Sequence, residues 1–419
     1  MSRSIRRLRL ALPASLIALG AATALAVPAQ AASSWSPPVQ LPAGCVSSGS
    51  VPGLAVNAAG TEAAAGSQLN ADNSSSVLVC TSADGQTWPA SATVGQGASP
   101  AVALAPDGRA VTAWEGGPFT APVIQASVRP PGGTWSAPVT VGTDARGPLI
   151  GIDRSGNAII AWMGATGTIH TASLPAGGSW TPAQTLATTN NGSGLAMAVN
   201  SAGSAVLTWA AKGTGVVGTY ADSGTILGGF AAPVKVGLPP YPGGRTSVAL
   251  NAAGQAEMVW ARGLGAANVA ATRSAAGTWS AAVQLSASEA GNLNVAIDGA
   301  GDAVATFEQY VPNTSIVALY ASKLPAGGSW GPPALLSAPG DSVSNFFGGR
   351  VVADSAGTFV IAWTDQTTRT LNVLTSPPGD GFGPAVTLAP NVGQINNLQI
   401  APGHAVLTFN SVVTTEPVS

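Results

Sequence analysis

The chain has 419 residues, of which 46% are hydrophobic and only 8% are charged, and its formal net charge is −2. This much apolar sequence excludes an intrinsically disordered protein, and the lack of a basic excess argues against nucleic acid or an anionic membrane as partner. Few charges, together with 53 glycines and 32 prolines, favour an all-β protein over a helical one.

Residues 1–31 have the features of a secretory signal peptide. Four arginines precede an apolar stretch from residue 10 to 27, and residues 29–31 form a small-residue cleavage site. The pair Arg6 and Arg7 leaves both the general and the twin-arginine export routes open. Cleavage would leave residues 32–419, with 12 basic against 18 acidic residues because the leader holds four arginines and no acid. No later segment has 18 consecutive apolar residues, so we expect an exported protein without membrane insertion, either free outside the cell or in the cell envelope.

The segment Trp35–Leu41 predicts a single β-strand with no partner close to it in sequence. Cys45 follows it, and Cys80 is the second of the two cysteines in the chain. In an exported protein an even pair of cysteines favours a disulfide, which here would enclose 36 residues; two buried free thiols are the alternative.

A sequence repeat dominates the rest of the chain. A typical copy has a short apolar run, a turn of the form Asp/Asn-x-x-Gly, and a second apolar run that ends in Trp or Phe. The second copy has Ala105 at the first turn position, and the eighth turn is shortened to residues 401–403. The turn glycines are 46 to 56 residues apart, at Gly60, Gly108, Gly156, Gly203, Gly254, Gly301, Gly357 and Gly403. A fixed period of this length indicates a solenoid, a propeller or an array.

One copy, residues 99–142, predicts four strands. These are Pro100–Ala105, Ala110–Trp114, Val123–Val128 and Trp135–Val141, the last carrying a proline that suits an outer edge strand. Four antiparallel strands in about 48 residues match one propeller blade. The chain ends with only a first pair, Leu398–Ile400 and Ala405–Phe409, which the N-terminal strand would complete from outside. We therefore expect residues 32–419 to form one closed propeller of eight blades, with seven as the alternative count.

The eleven tryptophans fall into two sets that recur in register. One set ends second strands (Trp114, Trp162, Trp209, Trp260 and Trp363) and the other begins outer strands (Trp35, Trp88, Trp135, Trp180, Trp279 and Trp330). Recurrence in register favours packing between blades, whereas sugar stacking by one ring per blade is the alternative.

The segment Thr81–Trp88 resembles the Asp-box of the sialidase-like, BNR-repeat propellers, Ser-x-Asp-x-Gly-x-Thr-Trp, with Ser82, Asp84, Gly85, Thr87 and Trp88 in the corresponding places and one residue fewer. Other copies keep the Gly-Gly-Thr/Ser-Trp part of the box. The resemblance implies a propeller, and it implies no activity because the Asp-box is a structural turn.

Candidate ligand-binding residues lie in the links between second and third strands and between blades, since variable loops on a rigid scaffold usually carry function. Arg146, Arg245 and Arg350 each stand just before a predicted first strand, where their side chains could converge on the channel mouth. Arg262 and Asp365 lie in such links as well. The alternative is that the three arginines form weak surface ion pairs with Asp144, Glu289 and Asp341.

Two functions remain open from the sequence. The first is a non-catalytic, monomeric propeller that binds a glycan or an extracellular protein through its loop-rich face. The second, implied by the resemblance, is a sialidase-like glycoside hydrolase that would use the three arginines with Glu308 and with Tyr310 or Tyr241. A structural role in the cell envelope is a third. The isolated His170 and His404, and turns with too few carboxylates for calcium, predict no metal site, and no cofactor motif is present.

Overall fold

The structure is a computed structural model and describes residues 35–45, 53–165, 167–189, 192–211, 217–238, 245–262, 267–286, 291–343, 349–393 and 395–417. The predicted signal peptide therefore lies outside the described residues, as do Tyr241 and Glu289.

The described residues form eight antiparallel sheets, each of which is one blade of a β-propeller. The first, innermost strands are β2 (Gly53–Val56), β6 (Ala98–Leu104), β10 (Ala145–Ile152), β14 (Ser193–Val199), β19 (Thr246–Leu250), β23 (Leu293–Ile297), β27 (Arg350–Ala353) and β31 (Ile395–Ala401). The second strands are β3 (Glu62–Leu69), β7 (Ala110–Gly116), β11 (Ala158–Gly164), β15 (Ser204–Ala211), β20 (Ala256–Ala261), β24 (Ala303–Tyr310), β28 (Phe359–Thr364) and β32 (His404–Phe409).

The outer half of each blade completes the sheet. The third strands are β4 (Ser75–Ser82), β8 (Val123–Arg129), β12 (Thr168–Leu174), β16 (Gly218–Thr225), β21 (Asn268–Arg273), β25 (Val317–Leu324), β29 (Thr370–Ser376) and β33 (Val412–Pro417). The outer strands are β5 (Ala92–Gln96), β9 (Val139–Thr143), β13 (Gln184–Thr188), β18 (Val234–Gly237), β22 (Val283–Gln284), β26 (Ala334–Leu335), β30 (Val386–Pro390) and β1 (Val39–Gln40). Blade 4 has an additional short strand, β17 (Gly229–Phe230), which also pairs with β16.

The eight-blade, closed arrangement is confirmed. Each first strand packs against the first strands of its two neighbours, and β31 of the last blade packs against β2 of the first. Val39 pairs with Val413, so the N-terminal strand is the outer strand of blade 8. The chain end itself supplies three strands of this blade, and not two as the sequence predicts.

The predicted outer strands begin too early. In blade 2 the outer strand starts at Val139, and Trp135 precedes it, although the Ser136 amide still donates to the Val128 carbonyl at 2.9 Å. Pro138 has no N–H to give to the ladder, which explains the late start. The outer tryptophans therefore approach their strands from outside the sheet.

Tryptophans of second strands lie between blades, as the packing interpretation expects. Trp114, Trp162 and Trp260 are at most 1% exposed. Each indole fits over a glycine of the preceding blade's outer strand, where a Cβ would overlap the ring; these glycines are Gly95, Gly142 and Gly237. The core is thus a set of wedges between adjacent blades.

The Asp/Asn-x-x-Gly turns also connect blades. Asn57 Oδ1 accepts hydrogen bonds from two amides of its own turn, and its Nδ2 donates to the Ala105 carbonyl of the next blade at 2.9 Å. Asn200 donates in the same way to Asn251 O, and Asn251 to Asp298 O. Each turn closes on a glycine of positive φ, 77° at Gly60. These turns have the structural role that the sequence indicates. We call this end of the propeller the turn face and the opposite end, where the links emerge, the link face.

Blade 5 buries a carboxyl group whose ionisation we expect to destabilise the fold. Glu257 is 1% exposed, accepts a hydrogen bond from Thr272 Oγ1 at 3.1 Å, and has its pKa raised by burial from 4.5 to about 8. A pKa raised in the folded state means that the folded protein binds the proton more tightly, so stability falls as pH rises from about 4.5 to about 8. This pH-dependent loss in the free energy of unfolding is on the order of 3 to 5 kcal/mol, and Glu257→Gln should remove it.

Urea unfolding at pH 5 and pH 8 tests this expectation. Glu257→Gln should be more stable than the natural protein at pH 8 and similar to it at pH 5. Asp107→Asn, which removes the same charge from an exposed turn, is the matched control and should change neither value by more than a few tenths of a kcal/mol. An equal effect of Glu257→Gln at both pH values would contradict the assignment.

Candidate functional site

Two arginines of the link face stand at the inner ends of blades 5 and 7, close enough for the charge of one to affect the other. Arg350 is the first residue of β27 and Arg245 immediately precedes β19. Burial and then the positive charge of Arg245 lower the pKa of the Arg350 guanidinium. Among the described residues neither guanidinium forms a salt bridge, and the buried Nε of Arg350 has no hydrogen-bond acceptor. Two nearby cations that form no salt bridge with the described residues are suited to an anionic ligand.

Arg146, the third predicted member, is directed elsewhere. Its guanidinium lies over the ring of Phe119, 4.7 Å from the centroid, and Phe119 itself is 82% exposed. The backbone beside it forms a bulge between Arg146 and Leu149, and the Gly147 amide donates to Glu115 Oε1 of the preceding blade at 2.6 Å. Arg146 and Glu115 thus join blades 2 and 3 at the link face.

Arg262 follows β20, and its amide closes the link by donating to the Ala267 carbonyl at 3.2 Å. Its side chain is exposed and takes part in no salt bridge within the described residues. Only its position on the link face therefore supports Arg262 as a candidate ligand-binding residue.

Asp365 is committed to its own loop. It is 1% exposed, and its Oδ1 accepts from the amides of Thr367 and Thr368 at 2.6 and 2.8 Å. Asp341 lies beside it, and the pKa of Asp341 is raised by burial and then by the hydrogen bond and charge of Asp365. The two carboxyl groups join the link that precedes blade 7 to a link within it, which gives Asp365 a positioning role.

Glu308 and Tyr310 occupy the end of β24. Glu308 is 1% exposed and accepts from Asn292 Nδ2 at 3.1 Å, whereas Tyr310 is 50% exposed. The carboxylate is thus held inside the blade while the phenol lies at the surface.

The Ser82–Trp88 segment forms a tight turn organised by one carboxylate. Asp84 accepts from the Gln86 and Thr87 amides and from Thr87 Oγ1, and these bonds lower its pKa to about 2. Trp88 Nε1 donates back to the Gly85 carbonyl at 3.2 Å. The segment thus has the structural role that the sequence indicates.

A cleft that the sequence does not predict lies on the outer rim between blades 3 and 4. It has a volume of about 210 Å³. One wall carries polar side chains of blade 3, Ser173, Thr181 and Gln184; the other carries apolar side chains of blade 4, Ile226, Leu227 and Phe230. Leu227 is 56% exposed.

No cluster of three or more His, Cys, Asp or Glu side chains suited to a metal ion occurs in the described part of the chain. The same residues contain no helix with the length and hydropathy of a membrane span.

Comparisons with known proteins give similarity in structure only. No family model matches the chain, and no curated protein matches it in sequence. Among solved structures, the Aleuria aurantia lectin in complex with a fucosyl-GlcNAc ligand is 12% identical, with a TM-score of 0.43 over 81% of this chain and 96% of that one. The β-propeller domain of the trilobed protease from Pyrococcus furiosus is 11% identical, with a TM-score of 0.47 over 81% and 99%.

A Hadza microbial sialidase is 15% identical, with a TM-score of 0.37 over 62% of each chain. At these identities and TM-scores the ligands of the three proteins carry no information about the ligand of this one. The predicted membership of the Asp-box family has no support from a family model.

Proposed function

We propose that this protein is an exported, non-catalytic β-propeller that binds an acidic glycan through its link face. The observation that carries the proposal is the adjacent pair Arg245 and Arg350, two guanidinium groups without an anionic partner among the described residues. Guanidinium groups bind carboxylate or sulfate oxygens through paired N–H donors, which suits the acidic groups of sugar acids and sulfated sugars.

Two carboxylates of the link face support this proposal because they are already hydrogen-bonded to backbone amides. Glu115 binds the Gly147 amide, and Asp365 binds two amides of its own loop. Neither is placed in a salt bridge with Arg245 or Arg350. An external anion would therefore supply the missing countercharge.

A sialidase-like hydrolase is the alternative enzyme. It would require Arg146 to leave Phe119 and join the other two arginines, and Glu308 to leave Asn292 and activate a tyrosine. These contacts favour binding without catalysis. An acidic extracellular protein is the alternative partner for the same arginine pair, and a structural role in the cell envelope would need no ligand there.

A glycan array probed with the purified protein tests the proposal. We expect acidic glycans to be retained over neutral ones, and Arg350→Ala and Arg245→Ala each to weaken binding by about tenfold to hundredfold, as the loss of a charged hydrogen bond predicts. Binding should also weaken as salt concentration rises.

Arg154→Ala provides the matched control. It removes the same charge from an exposed turn on the opposite face and should leave binding unchanged. Retention of only neutral glycans, or equal loss in all three variants, would overturn the proposal. Turnover of a fluorogenic sialoside that Arg245→Ala abolishes would favour the enzyme instead.

A further inference from the structure

At the rim of the propeller, aromatic side chains pack between adjacent blades in a regular pattern, and one such place is left partly empty. Tryptophans that precede the outer strands pack into clusters shared with the preceding blade; they are Trp35, Trp88, Trp135, Trp180, Trp279 and Trp330. Blades 4 and 7 have phenylalanine there instead, Phe230 and Phe382. A phenyl ring is smaller than an indole, so space is left at two places on the rim, between blades 3 and 4 and between blades 6 and 7. We call these two places corners.

Lysine fills the corner at blade 7. Lys323 of blade 6 places its Nζ 4.5 Å from the ring centroid of Phe382 and donates to Ser376 Oγ at 3.0 Å. Blade 3 carries Ser173 at the place of Lys323, since both stand three residues after the partner of the second-strand aromatic residue. The corner between blades 3 and 4 therefore lacks both the indole and the lysine, and the cleft of about 210 Å³ results.

The polarity of the side chains on the two walls indicates which kind of ligand suits the cleft. Ser173 Oγ donates to the Ile226 carbonyl at 2.5 Å and Thr181 Oγ1 accepts from the Ser173 amide at 2.9 Å, which holds both hydroxyl groups in place. Gln184 is exposed and offers an amide. Phe230 and Ile226 provide an apolar wall opposite, and no residue lining the cleft is charged.

We propose that this cleft is a second binding site, independent of the arginine pair, that takes a single neutral pyranose ring. A pyranose has an apolar C–H face for Phe230 and hydroxyl groups for Gln184 and Thr181, and it needs no countercharge. The volume is below the roughly 300–1,000 Å³ of sites for drug-sized ligands, so one ring fits and an oligosaccharide would extend into solvent.

Saturation-transfer NMR with the methyl glycosides of glucose, galactose, mannose, fucose and N-acetylglucosamine tests the site. We expect at least one to bind with a Kd of about 1 mM, as a small exposed site predicts. Phe230→Trp installs the tryptophan of most other blades, Ser173→Lys installs the lysine of blade 6, and each should weaken this binding at least about tenfold. Phe382→Trp makes the same aromatic exchange at the filled corner and should not change it.

Thermal unfolding of each variant shows whether it has folded. Absence of binding by all five glycosides, or binding that persists in folded Phe230→Trp, would overturn the proposal. Binding lost in Arg350→Ala would assign the sugar to the link face instead, and self-association abolished by Phe230→Trp would make the cleft a contact between copies of this chain. Either outcome would also refute the rim site, whereas failure of the acidic-glycan experiment would leave it standing.

Discussion

Reduction of the Cys45–Cys80 disulfide should lower the free energy of unfolding by about 4 kcal/mol, which is the loop-closure entropy contribution expected for a loop of this length. The two residues are 35 positions apart, and their Cα atoms are separated by 5.8 Å. Cys45 follows β1, the outer strand of blade 8, whereas Cys80 lies on β4 of blade 1. The bond therefore holds the N-terminal segment against the first blade while β1 pairs with the last, and its loss weakens ring closure.

Urea unfolding of the oxidised protein, the reduced protein and a Cys45→Ala, Cys80→Ala double variant measures the effect. The reduced protein and the double variant should agree, and reductant should not affect the double variant. Both cysteines are at most 1% exposed, so reduction needs a small phosphine or partial denaturation. Equal midpoints for all samples would show that β1 is held by its strand pairing alone.

A large effect of a single substitution is expected from His404→Ala, at about 3 kcal/mol, the upper end of the usual cost of leaving a buried acceptor without its hydrogen-bond partner. His404 Nε2 lies 3.0 Å from Glu62 Oε1, and the Glu62 side chain is fully buried. Glu62 belongs to blade 1 and His404 to blade 8, so this pair also spans the closure. The corresponding second-strand residue in six other blades is alanine: Ala110, Ala158, Ala205, Ala256, Ala303 and Ala405.

A double-mutant cycle separates this pair from general packing. Glu62→Ala installs the residue of the other blades, so it should cost less than His404→Ala, and the double variant should recover most of the loss. Losses that simply add in the double variant would show that the two side chains do not interact in solution.

The period of the sequence was sufficient to predict the propeller, because every blade must bury the same face against the next. The turn glycines and the second-strand tryptophans recur at this period because each has the same structural role in its blade. The last strand, β33, was missed because its turn consists of Asn410 and Ser411, both with positive φ and neither a glycine. Outer strands were predicted too long because a proline permits extended backbone without pairing in the ladder.

Site residues were harder to predict, since repeats constrain the scaffold and not the links. Arg245 and Arg350 could be predicted to approach each other because both stand at the start of first strands around one axis. Arg146 stands at an equivalent place, yet Phe119, contributed by a variable link of the preceding blade, holds its guanidinium. The rim cleft depends on Phe230, which departs from the repeat, and on Ser173, which stands where blade 6 has Lys323. The two effects combine where blades 3 and 4 meet.

The composition of blade 8 has a consequence for biosynthesis. Thr414 Oγ1 donates to the Ser36 carbonyl, a contact between residues 378 positions apart. During translation β1 is made long before its partner β33. Until β33 is present, seven folded blades would leave blade 8 incomplete, with unpaired strand edges to which another nascent chain could bind. The propeller can therefore close only after residues 412–417 have been made and have left the ribosome.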